Sequence, residues 1–128
     1  MLKNKVFRNI LRLTGFRESF KNAGRGIIYL FLYHRNMRII FMIGIAALLL
    51  GFYLNLKGIE LIALCITVTL VFMAEIFNTA VELMMNTITE KYHTKIRLVK
   101  DIAAGIVVIS CLNAAVIGYV LFIRKLFK

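Results

Sequence analysis

Three stretches of the chain carry almost no charge: Ile39 to Leu56, Leu61 to Ala74 and Ile102 to Ile123. A helix needs roughly 20 apolar residues to cross a hydrocarbon core about 30 Å thick. The first and third stretches reach that length alone. The second reaches it only if the helix runs on through Glu75 and Glu82. The pattern therefore predicts three membrane crossings, over residues 38–56, 59–88 and 101–123. Ahead of them, Phe16, Phe20, Ala23, Ile27, Leu30 and Phe31 fall within roughly 100° of arc on a helical wheel. Arg17, Lys21 and Arg25 recur on a flanking face. This predicts an amphipathic helix over residues 15–33 lying in the membrane interface. Packing on the protein's own core would leave the same pattern. Gly24 and Gly26 weaken that helix and mark a close approach or a bend. Residues 1–14 form a basic lead, and Asn55-Leu56-Lys57-Gly58 is a short polar turn. Proline is absent, as uninterrupted helices require, and no repeat or low-complexity tract occurs.

Composition strengthens this reading. Hydrophobic residues make up 61% of the 128 residues and charged ones 18%, against about one half and one quarter in soluble domains. A soluble bundle of this size has too little polar material to cover three such helices on all sides. The expectation is a single domain, residues 1–128, of an all-α integral membrane protein.

The net charge of +11 would suggest nucleic acid in a soluble domain. Here the basic residues lie outside the apolar runs, which fits anionic lipid headgroups and no nucleic acid. Nine of the 17 Lys and Arg, the last of them Arg38, precede the uncharged run of the first crossing, and Lys91, Lys95, Arg97 and Lys100 lie between the second and third. Three crossings put these two groups on one side. Lys57, Arg124, Lys125 and Lys128 fall on the other. Thirteen against four predicts a multi-pass protein with a cytoplasmic N-terminus under the positive-inside rule. The first apolar run starts too far in, and is too long, for a cleavable signal peptide. Cys65 and Cys111 fall inside crossings and read as small apolar residues.

The chemistry lies in AEIFNTAVELMMN, Ala74 to Asn86. On one helix, with Glu75 at zero, Asn78 falls near −60°, Glu82 near −20° and Asn86 near +20°, at about 100° per residue. These groups form one stripe, and Ile76, Phe77, Ala80, Leu83 and Met84 leave the other side apolar. A charge in the bilayer costs at least a few kcal/mol, so such residues face a bundle interior or an aqueous cavity. A polar stripe that merely joins helices is the plain alternative. Paired carboxylates at a membrane face also suit a Mg²⁺ site completed by substrate phosphates, or general base catalysis. An ion or proton path is a third use, disfavoured because the first and third crossings contain no charge. Beyond the stripe, KYHTKIRLVKD, Lys91 to Asp101, supplies cations, a Tyr and a His. Alone it reads as a solvated loop; beside the carboxylates it is half of a nucleotide site. No Walker A or kinase-type Gly-rich loop is present.

The run E-x-x-N-T-A-x-E from Glu75 to Glu82, E-K-Y-H ending at His93, V-K-D-I-A-A-G from Val99 to Gly105, and R-N-M-R at Arg35–Arg38 resemble the prokaryotic diacylglycerol kinase family, which includes the undecaprenol kinases. The likeness covers roughly residues 16–123. It implies a small homotrimeric membrane kinase that transfers the ATP γ-phosphoryl group to the hydroxyl of undecaprenol or diacylglycerol. By the same match, Glu75 is the general base and Asn78 orients it. Glu82 binds the Mg²⁺ that accompanies ATP. Lys100, Asp101, Lys91, Tyr92 and His93 contact the nucleotide, with Arg17 near the place of a further nucleotide-binding arginine. Arg38 and Ala104, with Glu75, line the lipid site. The chain departs from the family at His34, where the family has a second metal-binding glutamate, and at Asn86, where it has an aspartate. Histidine is a poor Mg²⁺ ligand, so a catalytically impaired relative that binds nucleotide or lipid is the alternative expectation.

Overall fold

The structure is a computed structural model and describes residues 13–88 and 94–127. The chain divides into two compact units, Met1–Arg35 and Asn36–Lys128.

The first unit holds α1, Leu13–Tyr33. The helix continues through Gly24 and Gly26, and a Cβ at either position would meet no atom within 4 Å. Within the first unit neither glycine marks a close approach. His34 follows α1; its N–H donates to the Leu30 carbonyl (2.9 Å), and its ring lies 6.0 Å from that of Tyr29.

The second unit is built on α2 (Arg35–Tyr53), α3 (Ile59–Ile88) and α4 (Thr94–Gly118). The last runs on through a π-helical segment, Tyr119–Ile123, into α5, Arg124–Leu126. These three helical rods, with Thr94–Leu126 counted as one, are long and apolar enough to cross a membrane. No strand occurs among the described residues. Five of their hydroxyls are satisfied within the helix: Thr67, Thr69, Thr79, Thr87 and Ser110 each donate to the carbonyl four residues back. Helix-internal satisfaction is what a solvent without hydrogen-bond partners demands.

The turn between α2 and α3 has a definite cause. Asn55 takes a left-handed φ of 60°, a conformation asparagine tolerates better than most residues. Its N–H donates to the Phe52 carbonyl (3.1 Å), and that of Leu56 to Gly51 (3.0 Å). This is the Schellman pattern, with Leu56 folded back as its apolar closure. Gly58, at φ 62°, then accepts the first α3 bond, from Ile62 N–H (3.1 Å).

The α2 and α3 helices run antiparallel through Phe41/Phe72, Gly44/Val68 and Gly51/Leu64. The two glycines let the rods approach: a Cβ at Gly44 would lie 2.8 Å from Val68 Cγ1, and one at Gly51 2.6 Å from Leu64 Cδ2. The α3 and α4 helices form the most extensive pairing. Polar links tie both of its ends: Lys100 Nζ donates to Asn86 Oδ1 (2.8 Å), and Lys125 Nζ stands 3.5 Å from Glu60 Oε2.

The crossings differ from their sequence-predicted bounds. The third helix begins at Thr94, not Asp101, because its charged first turns are helical as well; Arg97 and Asp101 face each other there at 3.9 Å.

Candidate functional site

Glu75, Asn78, Glu82 and Asn86 all lie on α3, each of the last three within about 60° of Glu75 around the helix axis. Their burial is graded. Glu75 is 6% exposed and its neighbour Thr79 is 3% exposed. Asn78 is half-buried, while Glu82 and Asn86 are exposed. The stripe thus opens toward the Ile88 end of the helix. Asn78 Oδ1 is buried and accepts no hydrogen bond. A buried carbonyl without a donor is costly and rare, so a polar group that donates to it would be welcome there.

The two carboxylates do not form a shared metal clamp. Seven residues apart, they are separated by about 10 Å along the helix axis. Side chains on a helix lean toward its N-terminus, so both reach the same way and not toward each other. Their environments differ accordingly: the Glu75 carboxylate is buried and the Glu82 carboxylate is exposed. Among the described residues no group of three or more His, Cys, Asp or Glu is placed to hold an ion.

The same α3 face continues past Glu75 in the other direction as hydrocarbon. Leu64, Val68, Val71 and Phe72 fall within about 60° of Glu75 on the wheel. They help to line an apolar groove of about 570 Å³ between α2, α3 and α4, whose small walls include Gly44, Ala115 and Gly118. One face of one helix therefore carries a lipid-like trough, a buried carboxylate and an open carboxylate in series.

Lys100 is a cation that the structure brings to this stripe, through Asn86. Asp101 is exposed and engages Arg97. Arg38, in the first turn of α2, and Ala104, on α4, are exposed. Arg17 is exposed on α1 and His34 follows that helix, both in the first unit. Lys91, Tyr92 and His93 lie outside the described residues. Sequence reasoning placed Asn86 on the stripe but missed it as the partner of Lys100; a cation on the next helix gives no periodic signal that would have revealed the pairing.

Comparison with known proteins decides the relationship. The sequence profile of prokaryotic diacylglycerol kinase matches residues 21–122. The undecaprenol kinase of Bacillus subtilis is 34% identical over 125 residues, covering 98% of this chain and 100% of that protein. The chain belongs to the prokaryotic diacylglycerol kinase family. A diacylglycerol kinase of Synechocystis sp. is also 34% identical, over 109 residues; the match covers 84% of this chain and 62% of that protein. The family is one of membrane lipid kinases, and three crossing-length helices make this member a multi-pass membrane protein.

Proposed function

We propose that the protein transfers the γ-phosphoryl group of ATP to the hydroxyl of a membrane lipid, with undecaprenol favoured over diacylglycerol. The observation that carries this reading is the ordered α3 face: apolar groove, buried Glu75, half-buried Asn78, open Glu82. A lipid alcohol has the matching order of hydrocarbon chain, hydroxyl and attacked phosphate. The wording of V-K-D-I-A-A-G at Val99–Gly105 and R-N-M-R at Arg35–Arg38, which resembles the undecaprenol kinases more, is what favours undecaprenol.

In this reading the hydrocarbon lies in the groove and the hydroxyl reaches Glu75. The Glu75 carboxylate takes the hydroxyl proton as the lipid oxygen attacks the γ-phosphorus. The bond from that phosphorus to the β,γ-bridging oxygen breaks, and ADP leaves. Asn78 orients the base or the hydroxyl; its unpaired Oδ1 supports that role. Lys100 faces the polyphosphate, and Asp101, Arg17 and the Lys91–His93 segment contact the rest of the nucleotide. Phosphoryl transfer is mainly positioning and charge neutralisation, so this small set of groups is sufficient in kind.

Mg²⁺ is held ordinarily by one or two carboxylates together with phosphate oxygens. The exposed Glu82 carboxylate fits that donor set, whereas His34 would offer a nitrogen. The ion's contribution, when bound, is neutralisation of phosphate charge. The protein acts as a homotrimer in the bacterial inner membrane, with its N-terminus and the open end of the stripe on the cytoplasmic side.

The test uses the purified full chain in lipid nanodiscs with Mg-ATP labelled on the γ-phosphate, and undecaprenol and diacylglycerol offered in parallel. Label is expected in undecaprenol above diacylglycerol. Glu75→Gln should cut turnover by about 10²- to 10⁴-fold, the usual worth of a positioned base. Folded protein that labels neither lipid refutes the kinase; a Glu75→Gln protein with full turnover refutes Glu75 as base.

A further inference from the structure

Lys100 and Asn86 come from different helices and meet at 2.8 Å. An ammonium has three N–H donors, and one is committed to Asn86 Oδ1. The acceptor is an amide dipole, so it aims the ammonium without cancelling its charge. The carboxylate next to Lys100 in sequence, Asp101, stands 3.9 Å from Arg97 Nε, one turn back on the same helix. On α3, Glu82 is one turn before Asn86 on the same stripe. The held ammonium therefore lies at the open end of the carboxylate stripe, with donors to spare. A lysine side chain loses much rotamer freedom when an anion captures it. An ammonium already held by the protein spares the ligand that cost.

We infer that Asn86 is a positioning residue for an anionic phosphate ligand. It holds Lys100 across the α3–α4 pair, and because it is neutral it leaves the full positive charge to the ligand. That the phosphate belongs to ATP rests on the kinase reading.

The experiment measures Kd for Mg-ATP and for inorganic triphosphate on the full-length protein in nanodiscs, alongside KM and kcat. The variants are Asn86→Ala, Asn86→Asp, Lys100→Met and Asn86→Ala/Lys100→Met, with helicity and thermal midpoint as folding controls. Asn86→Ala should raise Kd roughly three- to tenfold, the scale of the rotamer freedom the ligand would then have to immobilise in Lys100. KM should rise by more than kcat falls. In the Lys100→Met background the same change should have almost no further effect on Kd. Asn86→Asp keeps an acceptor but pairs the charge, so Kd should rise and its dependence on salt should become shallower.

Three results overturn the inference: Asn86→Ala leaves Kd unchanged; it weakens binding equally with and without Lys100; or Asn86→Asp tightens binding. Wild-type protein that binds neither Mg-ATP nor triphosphate also overturns it. Wild-type protein that binds both with the expected Asn86 dependence, yet labels no lipid, sustains the inference and rejects the kinase.

Discussion

Glu75 and Glu82 are the same residue type on one helix, and their surroundings separate them. Glu75 is 6% exposed beside Thr79 and the half-buried Asn78; Glu82 is open. A base that must take a proton from a lipid hydroxyl is served by the first environment, and a group that must meet a hydrated, nucleotide-borne ion by the second. His34 stands where the family resemblance calls for a second metal-binding carboxylate. His34→Glu should therefore raise the Mg²⁺-dependent initial rate by roughly threefold or more at limiting Mg²⁺ and lower the Mg²⁺ concentration for half-maximal rate, since Mg²⁺ prefers oxygen ligands. A Mg²⁺ titration with unchanged midpoint and rate would remove His34 from the metal site. The stripe itself was legible in the sequence, because the helical period alone aligns Glu75, Asn78, Glu82 and Asn86. The Lys100 link was not, because it depends on how far α4 slides along α3.

At the scale of elements, the approach of α2 to α3 depends on two missing side chains. Gly44→Ala gains about 1 kcal/mol of helix propensity. It also drives a Cβ to 2.8 Å from Val68 Cγ1, and overpacking of this kind costs about 1–3 kcal/mol. Valine holds one preferred rotamer in a helix and yields little, so the loss should exceed the gain. The thermal midpoint in detergent should fall for Gly44→Ala in the wild-type background. In a Val68→Ala background the same substitution should be neutral or stabilising. If Gly44→Ala is equally harmful in both, the Gly44–Val68 contact is not what limits the approach. Hydropathy made the three crossings legible, and Asn55 with Gly58 announced the turn between the first two. The start of α4 was read too late, because Lys95, Arg97 and Lys100 look like a solvated loop until the Arg97–Asp101 spacing is seen to suit a helix. The π-helical segment Tyr119–Ile123 was not legible at all: YVLFI is as apolar as the helix it interrupts.

For the whole molecule, the proposed reaction depends on which side of the membrane the stripe opens to, because ATP is available on one side only. The charge distribution along the sequence favours the cytoplasm: thirteen Lys and Arg precede the first apolar run or lie between the second and third, and four lie elsewhere. The ends of the α3–α4 pair also differ in kind. Lys100 is held by a neutral amide at one, and Lys125 faces the Glu60 carboxylate at 3.5 Å at the other. A free charge for a ligand at one end and a compensated one at the other agree with a single working face. Single cysteines test the orientation directly, in a background where Cys65 and Cys111 are replaced by alanine. Lys57→Cys, between the first two crossings, should react with a membrane-impermeant maleimide in intact cells. Thr94→Cys, at the start of α4, should react only after the membrane is opened. The reverse pattern would put the carboxylate stripe on the side without ATP, and a kinase working from Glu75, Glu82 and Lys100 would then have no phosphoryl donor.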